Sequence, residues 1–370
     1  MAARILVIGG SGYFGRLLVQ DLLSFTSESI LIGGRNQKHL HEFCDTNRAR
    51  LSPIEVDLFR QETIVAALSG VQIVICAAGP FTGLPATLLE LCLERRIHYI
   101  DLSDDRDFVL RARKVAADSP RADQIAVCSG WSAVPALSGI LASMAVEKLA
   151  SVESLHIQIA PGNRFPRSKG TVASLLASVA RSFTVWNDGR WRTVSGWSEP
   201  RIFEFPPPIG ARRGLLVDVP DHEIFPSLFS AQQVEFRVGA EIDLFNRMLS
   251  ILAWPYRRGQ SSAPLLRFSG VLQFLMGLTW FLGHDWGAVG VVASGKTKDG
   301  RRSSYRACVV ADHKGHCIPV MPAAIMTAML LSVPQHGLIP VERWLAREAL
   351  ERECGRRGFR VTLDELSAKE

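Results

Sequence analysis

The 370-residue sequence predicts an α/β protein, with an N-terminal doubly wound parallel sheet and a second α+β domain carrying a mixed, largely antiparallel sheet. Three observations carry that expectation. The chain opens on an aliphatic run that stops at a cluster of glycines and resumes as an amphipathic segment. Apolar strand patterns and helical patterns then alternate. Past Gly130 the periodicity changes to that of strands with one polar face, punctuated by turn signals. A chain of this length is long for one core, so two domains are expected.

Ile5 to Ile8 is followed by Gly9, Gly10, Ser11, Gly12, Tyr13, Phe14 and Gly15, and then by the helical pattern from Arg16 to Leu23. Gly10, Gly12 and Gly15 satisfy G-x-G-x-x-G, and Gly9, Gly12 and Gly15 satisfy G-x-x-G-x-x-G. A strand before and a helix after give the motif its meaning. Glycines permit a tight turn whose backbone approaches a pyrophosphate at the helix N-terminus. This is the Rossmann dinucleotide fingerprint, with residues 9–14 as pyrophosphate contacts.

The second strand, Ser29 to Asn36, ends in Gly34, Arg35 and Asn36, where an NAD-selective site places a carboxylate on the ribose. A guanidinium there suits a 2′-phosphate through charge-assisted hydrogen bonds, so NADP(H) is favoured over NAD(H). A solvated surface arginine is the plainer alternative. The third strand, Leu51 to Asp57, ends in a carboxylate that suits either the adenine amino group or a cap for the helix Arg60 to Leu68. The fourth, Val71 to Ala78, is apolar as a strand buried on both faces should be, and runs into Gly79, Pro80 and Phe81. Ala78, Gly79 and Pro80 leave room for the nicotinamide ribose, with Phe81 bounding the ring. Helix 84–95, strand 98–102, helix 106–117 and strand 124–129 complete the alternation.

Beyond it, residues 131–135 read as a linker, followed by a helix over 137–148 and a strand over 154–160. Asn187-Asp-Gly189 and Lys314-Gly-His316 read as hairpin turns. The chain is helical from Ala323, and Pro340 to Glu353 ends at Gly355, a C-cap. The expected division is 1–130 for the dinucleotide domain, 131–322 for substrate binding and dimerisation, and 323–370 as helices packing back on the first. Phe268 to Gly283 holds 16 residues without charge. A helix of that length spans about 24 Å, short of the roughly 30 Å membrane core. A cover for the substrate cleft is favoured over a subunit contact or an interfacial membrane contact.

Hydrophobic residues make up 47% and charged residues 21% of the chain, ordinary for a globular enzyme. The first strand begins within four residues of the start, which leaves no room for a signal or transit peptide. Seven cysteines without a C-x-x-C pair point to a reducing, cytoplasmic setting. The net charge of +6, partly in Arg164, Arg167, Lys169, Arg190, Arg192, Arg212 and Arg213, fits an anionic small molecule or a solvated surface. No nucleic-acid-binding signature accompanies it. His313, His316 and Cys317 straddle a turn with no second cluster, so no metal is expected.

The Tyr-x-x-x-Lys relay of short-chain dehydrogenases is absent. The four tyrosines are followed at the fourth position by Leu17, Ser103, Gln260 and Val309. Asp101, Asp104 and Asp105 follow the fifth strand at the edge where the nicotinamide lies, as acid–base groups or helix caps. Arg164, Lys169 and Thr171 precede a predicted helix over 172–183 and suit a substrate carboxylate or phosphate, or a solvated loop. Trp131 suits a wall of the nicotinamide pocket, or core packing. No residue is singled out as the proton donor.

Several segments together resemble the saccharopine dehydrogenase-like oxidoreductases. They are residues 7–15, Gly34-Arg35-Asn36, Ala78-Gly-Pro-Phe81 with Cys92, 98–105, 129–135, Gly170-Thr171 and Ile339-Pro-Val-Glu342. The resemblance implies an NADP-binding Rossmann domain, an α+β domain that supplies the substrate cleft, and often a dimer. Many relatives carry an acidic residue in the segment matching 131–135, where this chain has Ser132 and Ala133. The reading that follows is an NADP(H)-dependent oxidoreductase acting on a C=N, C=O or C=C bond of a small molecule. Its alternative is a non-catalytic NADP-sensing or membrane- or partner-associated protein on the same fold.

Overall fold

Ile5–Ile8 (β1) is buried along its whole length, because four consecutive aliphatic side chains leave the strand no polar face. In the computed structural model the described residues are 5–165, 178–179, 181–254, 277, 279–333 and 335–366. After β1 come α1 (Tyr13–Phe25), β2 (Ile30–Gly34), α2 (Gln37–Cys44), β3 (Leu51–Glu55), α3 (Gln61–Ala67), β4 (Ile73–Cys76) and α4 (Thr87–Arg95). β5 (His98–Asp101), α5 (Arg106–Asp118) and β6 (Ala126–Cys128) follow. On α1 the buried residues are Gly15, Leu18, Val19 and Leu22, the spacing of one helical face.

The next elements are α6 (Ser138–Val146), β7 (Leu149–Pro161), β8 (Ser182–Asn187), β9 (Arg190–Ser195), β10 (Arg201–Glu204), β11 (Ala211–Leu216), α7 (Asp221–Leu228) and β12 (Gln233–Val238). Then come α8 (Asp243–Ala253), β13 (Gly287–Thr297), β14 (Arg302–Ala311), α9 (Met321–Ser332), β15 (Gly337–Leu338), α10 (Arg347–Arg356) and β16 (Phe359–Leu366). The contacts group them into two compact units, residues 1–136 with 319–340 and residues 137–318 with 341–370.

The first unit is a seven-stranded sheet in the order β15-β6-β5-β4-β1-β2-β3, every pairing parallel. The chain proceeds one way from β1 through β2 and β3, then returns to the other side of β1 with β4. The gap between the carboxyl ends of β1 and β4 is therefore the topological switch point, where such sheets bind ligands. α9 packs on α1 and β5.

The second unit is a nine-stranded mixed sheet in the order β10-β11-β12-β7-β13-β14-β16, with the β8–β9 hairpin joined through β12. Of its pairings, β7–β12 is parallel and the others are antiparallel. α6 lies against β13 and β14, and α7 against β12. The Asn187-Asp-Gly189 turn closes a hairpin as expected, with Asp188 and Gly189 at φ 50° and 71° and Asn187 opposite Arg190.

Four expectations are corrected. Residues 131–135 are no linker but a buried segment, with Trp131 fully enclosed. The expected hairpin at Lys314-Gly-His316 is absent, since residues 315–320 form a 3-10 turn. The Lys314 and Gly315 amides donate to Asp285, and Gly315 packs directly on Gly287, which holds the chain over the start of β13. The predicted helix 172–183 lies outside the described residues over 172–177 and at 180, Ser178 is helical as expected, and the last two positions belong to strand β8. At the C-terminus, 340–346 is not helical, α10 runs past Gly355 to Arg356, and Gly358 (φ 74°) supplies the turn into β16. That last strand pairs β14 in the second unit, so residues 323–370 do not all return to the first.

Candidate functional site

The glycine turn sits at the switch point of the first unit. Gly9, at φ +79°, lies so close to the end of β4 that a Cβ would stand 2.7 Å from the backbone of Ala78. Gly12 donates to the Gly9 carbonyl at 2.9 Å, and any side chain at Gly15 would collide with that same carbonyl. The three glycines are therefore one packing unit. Gly12 caps α1 without a side-chain bond, and the first turn holds no acidic residue. A helix N-terminus of this kind favours negative charge, which suits a phosphate. Arg16 staples the loop, with Nε donating to the Ser11 carbonyl at 2.7 Å and the guanidinium lying 5.0 Å from the Phe43 ring centroid on α2.

Around the turn stand the other expected residues. The Ala77 amide donates to Ile8 O at 2.8 Å, which registers the two strand ends. Ala78 is half-buried and Gly79 and Pro80 are exposed, and a Cβ on Gly79 would meet nothing within 4 Å. Arg35 is exposed at the end of β2 and makes no ion pair with the described residues. Asn36 caps α2, its Oδ1 accepting the His39 amide at 3.2 Å. Asp57 Oδ1 accepts the Phe59 amide at 3.1 Å, closing an Asx turn instead of capping α3. Phe81 is buried against Phe108, ring centroids 5.2 Å apart.

The aspartates after β5 divide by role. Asp105 caps α5 through the Phe108 amide at 2.8 Å and accepts Thr82 Oγ1 at 2.6 Å. Asp104 is exposed. Asp101 is fully buried, its Oδ1 accepting the amides of Ser103 at 2.9 Å and Gly130 at 2.8 Å. Burial raises its carboxyl above the ordinary value, against the pull of those hydrogen bonds. It ties strand ends together and presents no face to a substrate. Trp131, whose amide donates to Asp101 O at 2.7 Å, is likewise core and not a pocket wall. Burial pushes the Cys76 thiol up to about 12, so it is no nucleophile.

In the second unit Arg164 is exposed, with its amide donating to His284 O at 2.9 Å. Lys169 and Thr171 lie outside the described residues, as do residues 268–276 and 278 of the uncharged segment. The described end of that segment is a 3-10 turn, Trp280–Leu282, with Phe281 and Leu282 exposed. Of the basic residues, Arg192 is paired to Glu199 at 2.6 and 2.7 Å and Arg213 to Asp243 at 3.0 Å. Glu235, 4.0 Å from Arg192, is pushed up by burial but held well below the usual carboxylate range by His156 and Arg237.

One arrangement escaped the sequence. His284 Nδ1 meets Glu241 Oε1 at 2.6 Å, and its ring stacks on Trp286 with centroids 3.6 Å apart and planes 7° from parallel. Glu241 Oε2 accepts the amides of Asn163 at 2.6 Å and His284 at 2.9 Å, so the carboxylate is fixed and held below its ordinary value. The His284 ring is half-exposed, and Nε2 makes no hydrogen bond to the described residues. An imidazole held at one nitrogen by a carboxylate and open at the other can pass a proton. Glu241 lies 43 residues from His284, so no spacing signal could have joined them.

Residues 5–126 match the family model of the saccharopine dehydrogenase NADP binding domain. This unit is an NADP-binding domain of the saccharopine dehydrogenase type. The fold extends over the whole chain. Apo saccharopine dehydrogenase (L-Glu forming) from Saccharomyces cerevisiae superposes with a TM-score of 0.69 at 12% identity, covering 99% of this chain and 100% of that one. A meso-dapdh variant with DAP from Clostridium tetani gives a TM-score of 0.45 at 13% identity over 95% and 99% of the two chains. No curated protein matches by sequence. The NADP-binding domain and the shared fold support an NAD(P)-dependent oxidoreductase. The cofactor is NADP, and the glycine turn, its acid-free helix start and the open space at Gly79 fit it.

Proposed function

We propose that the protein is an NADP(H)-dependent oxidoreductase that moves hydride between the nicotinamide and a C=N, C=O or C=C bond of a small molecule. The observation that carries this reading is the glycine turn at the switch point, with an exposed arginine at the end of the neighbouring strand. The glycine turn of residues 9–14 faces the pyrophosphate, Arg35 the 2′-phosphate, with Asn36 beside it, and the remaining oxygen of Asp57 the adenine. Ala78, Gly79 and Pro80 border the nicotinamide ribose. When bound, the cofactor supplies or accepts the hydride.

The chain's own residues orient the substrate.

The test is NADPH oxidation by the purified chain with a panel of imines, ketones and enoyl compounds, alongside NADPH titration. Steady oxidation with one class is expected. NADPH binding without turnover on any class would favour a sensor, and absence of binding would overturn the reading altogether.

A further inference from the structure

The hairpin of β8 and β9 is fastened to the segment that leaves α7. Gly189 N donates to Gln232 O at 3.1 Å, Trp186 Nε1 donates to Ala231 O at 2.9 Å, and Trp186 pairs with Val234 of β12. Between hairpin and helix lies an open pocket of about 540 Å³, a size that suits a small molecule. Its walls include Trp186 and Trp191 on the hairpin, and Glu223, Pro226, Ser227 and Ser230 on and just beyond α7. We propose that this pocket binds a small organic cation, an alkylated ammonium ion free in solution.

Three features favour a cation there. Trp186 and Trp191 are opposite each other in the hairpin, with ring centroids 5.0 Å apart and planes at 69°, so their π surfaces make a corner instead of a closed stack. An indole face attracts a cation through its ring quadrupole, most strongly where the ion sheds its water easily, as an alkylated ammonium does. Trp191 is 44% exposed, which leaves ring surface for a ligand. Second, Glu223, Pro226 and Ser227 follow the i, i+3, i+4 spacing of one helical face, which sets a half-buried carboxylate in the same pocket as the indoles. Third, Pro226, Ser227 and Ser230 stand at the C-terminal end of α7, the negative end of its dipole.

The surrounding charge sharpens the choice. No lysine or arginine is among the described lining residues, in a chain of net charge +6. Arg190 and Arg192 flank Trp191, but successive side chains of a strand alternate faces, and Arg192 is bound to Glu199 at 2.6 and 2.7 Å. An anion would thus meet a carboxylate and no countercharge. A neutral ligand would forgo the attraction of both the carboxylate and the π faces. The pocket lies wholly in the second unit, so it is separate from the nucleotide turn of the first.

Calorimetric titration of the full chain with choline chloride, at ionic strength held constant with sodium chloride, tests this. Saturable one-site binding is expected, and the uncharged alcohol with carbon in place of the nitrogen should bind about tenfold more weakly or worse. Trp191→Ala and Glu223→Gln should each weaken choline about tenfold, and Trp191→Phe, which keeps an aromatic face, should cost less than Trp191→Ala. The indole N–H resonance of Trp186, held by its bond to Ala231, reports that the hairpin stays folded in each variant. Choline should also shift the indole resonances of Trp186 and Trp191 in the unaltered chain, a reading free of variants. Phosphatidylcholine vesicles should not displace choline, and displacement would assign a lipid headgroup and overturn the free ion as the ligand. Absence of choline binding overturns the proposal. So does equal binding of the uncharged alcohol, or an affinity indifferent to both Trp191→Ala and Glu223→Gln.

Discussion

The Asp101 carboxylate accepts the Gly130 amide at 2.8 Å, joining the end of β5 to the end of β6 inside the first unit. A second amide, that of Ser103, shares the same oxygen. Asp101→Ala would leave two buried donors unmet and should cost about 2–4 kcal/mol, read as a drop in the urea midpoint. Asp101→Asn keeps an acceptor and should cost less, with NADPH affinity retained. Equal loss in both variants would show that the charge, not the acceptor, is what matters.

Gly15→Ala places a methyl against the Gly9 carbonyl, so the turn must open. Strain of about 1–3 kcal/mol is expected, with NADPH binding weakened by about tenfold or more in fluorescence titration. Unaltered affinity would mean that this turn does not hold the pyrophosphate.

Arg35 is exposed and unpaired with the described residues, so its removal should cost the fold little. Arg35→Asp should weaken NADPH by about tenfold to a hundredfold, the worth of charge-assisted bonds to a phosphate, and leave NADH unaffected or improved. Parallel titrations of the two nucleotides decide it. A uniform loss would assign Arg35 elsewhere.

Asp221 is fully buried, with Ser138 Oγ donating to it at 2.5 Å, and burial pushes its carboxyl up to about 7. A raised value means that the folded state favours the protonated form. Its contribution is complete below the ordinary value of 3.8 and declines as pH rises from there through about 7. Asp221→Asn keeps the acceptor and cannot ionise. Its unfolding midpoint relative to the unaltered chain should therefore rise with pH over that window and then level off. A constant difference from pH 4 to 8 would sink the assignment.

The legible parts of this protein were the local ones. Six strands and four helices of the first unit (α1, α3, α4 and α5), and the Asn187-Asp-Gly189 hairpin, follow from periodicity and turn residues over a few positions. Asp101 was visible at the strand end, but not its burial, because nothing local distinguishes a carboxylate facing solvent from one receiving two amides. Trp131 read equally as a pocket wall or as core for the same reason. The strand β16 was missed, since Phe359 to Leu366 mixes charge with apolar residues and gains its partner, β14, from about 50 residues away.

From its order of residues alone, this chain determined a dinucleotide turn and the phosphate it suits, because glycine spacing and the Arg35 charge act within one strand–turn–helix. Tertiary structure alone decided the Glu241–His284 pair, the enclosed Asp101 and the pairing of β16 with β14. Each depends on segments distant in sequence meeting in space, and burial and hydrogen-bond partners are properties of that meeting.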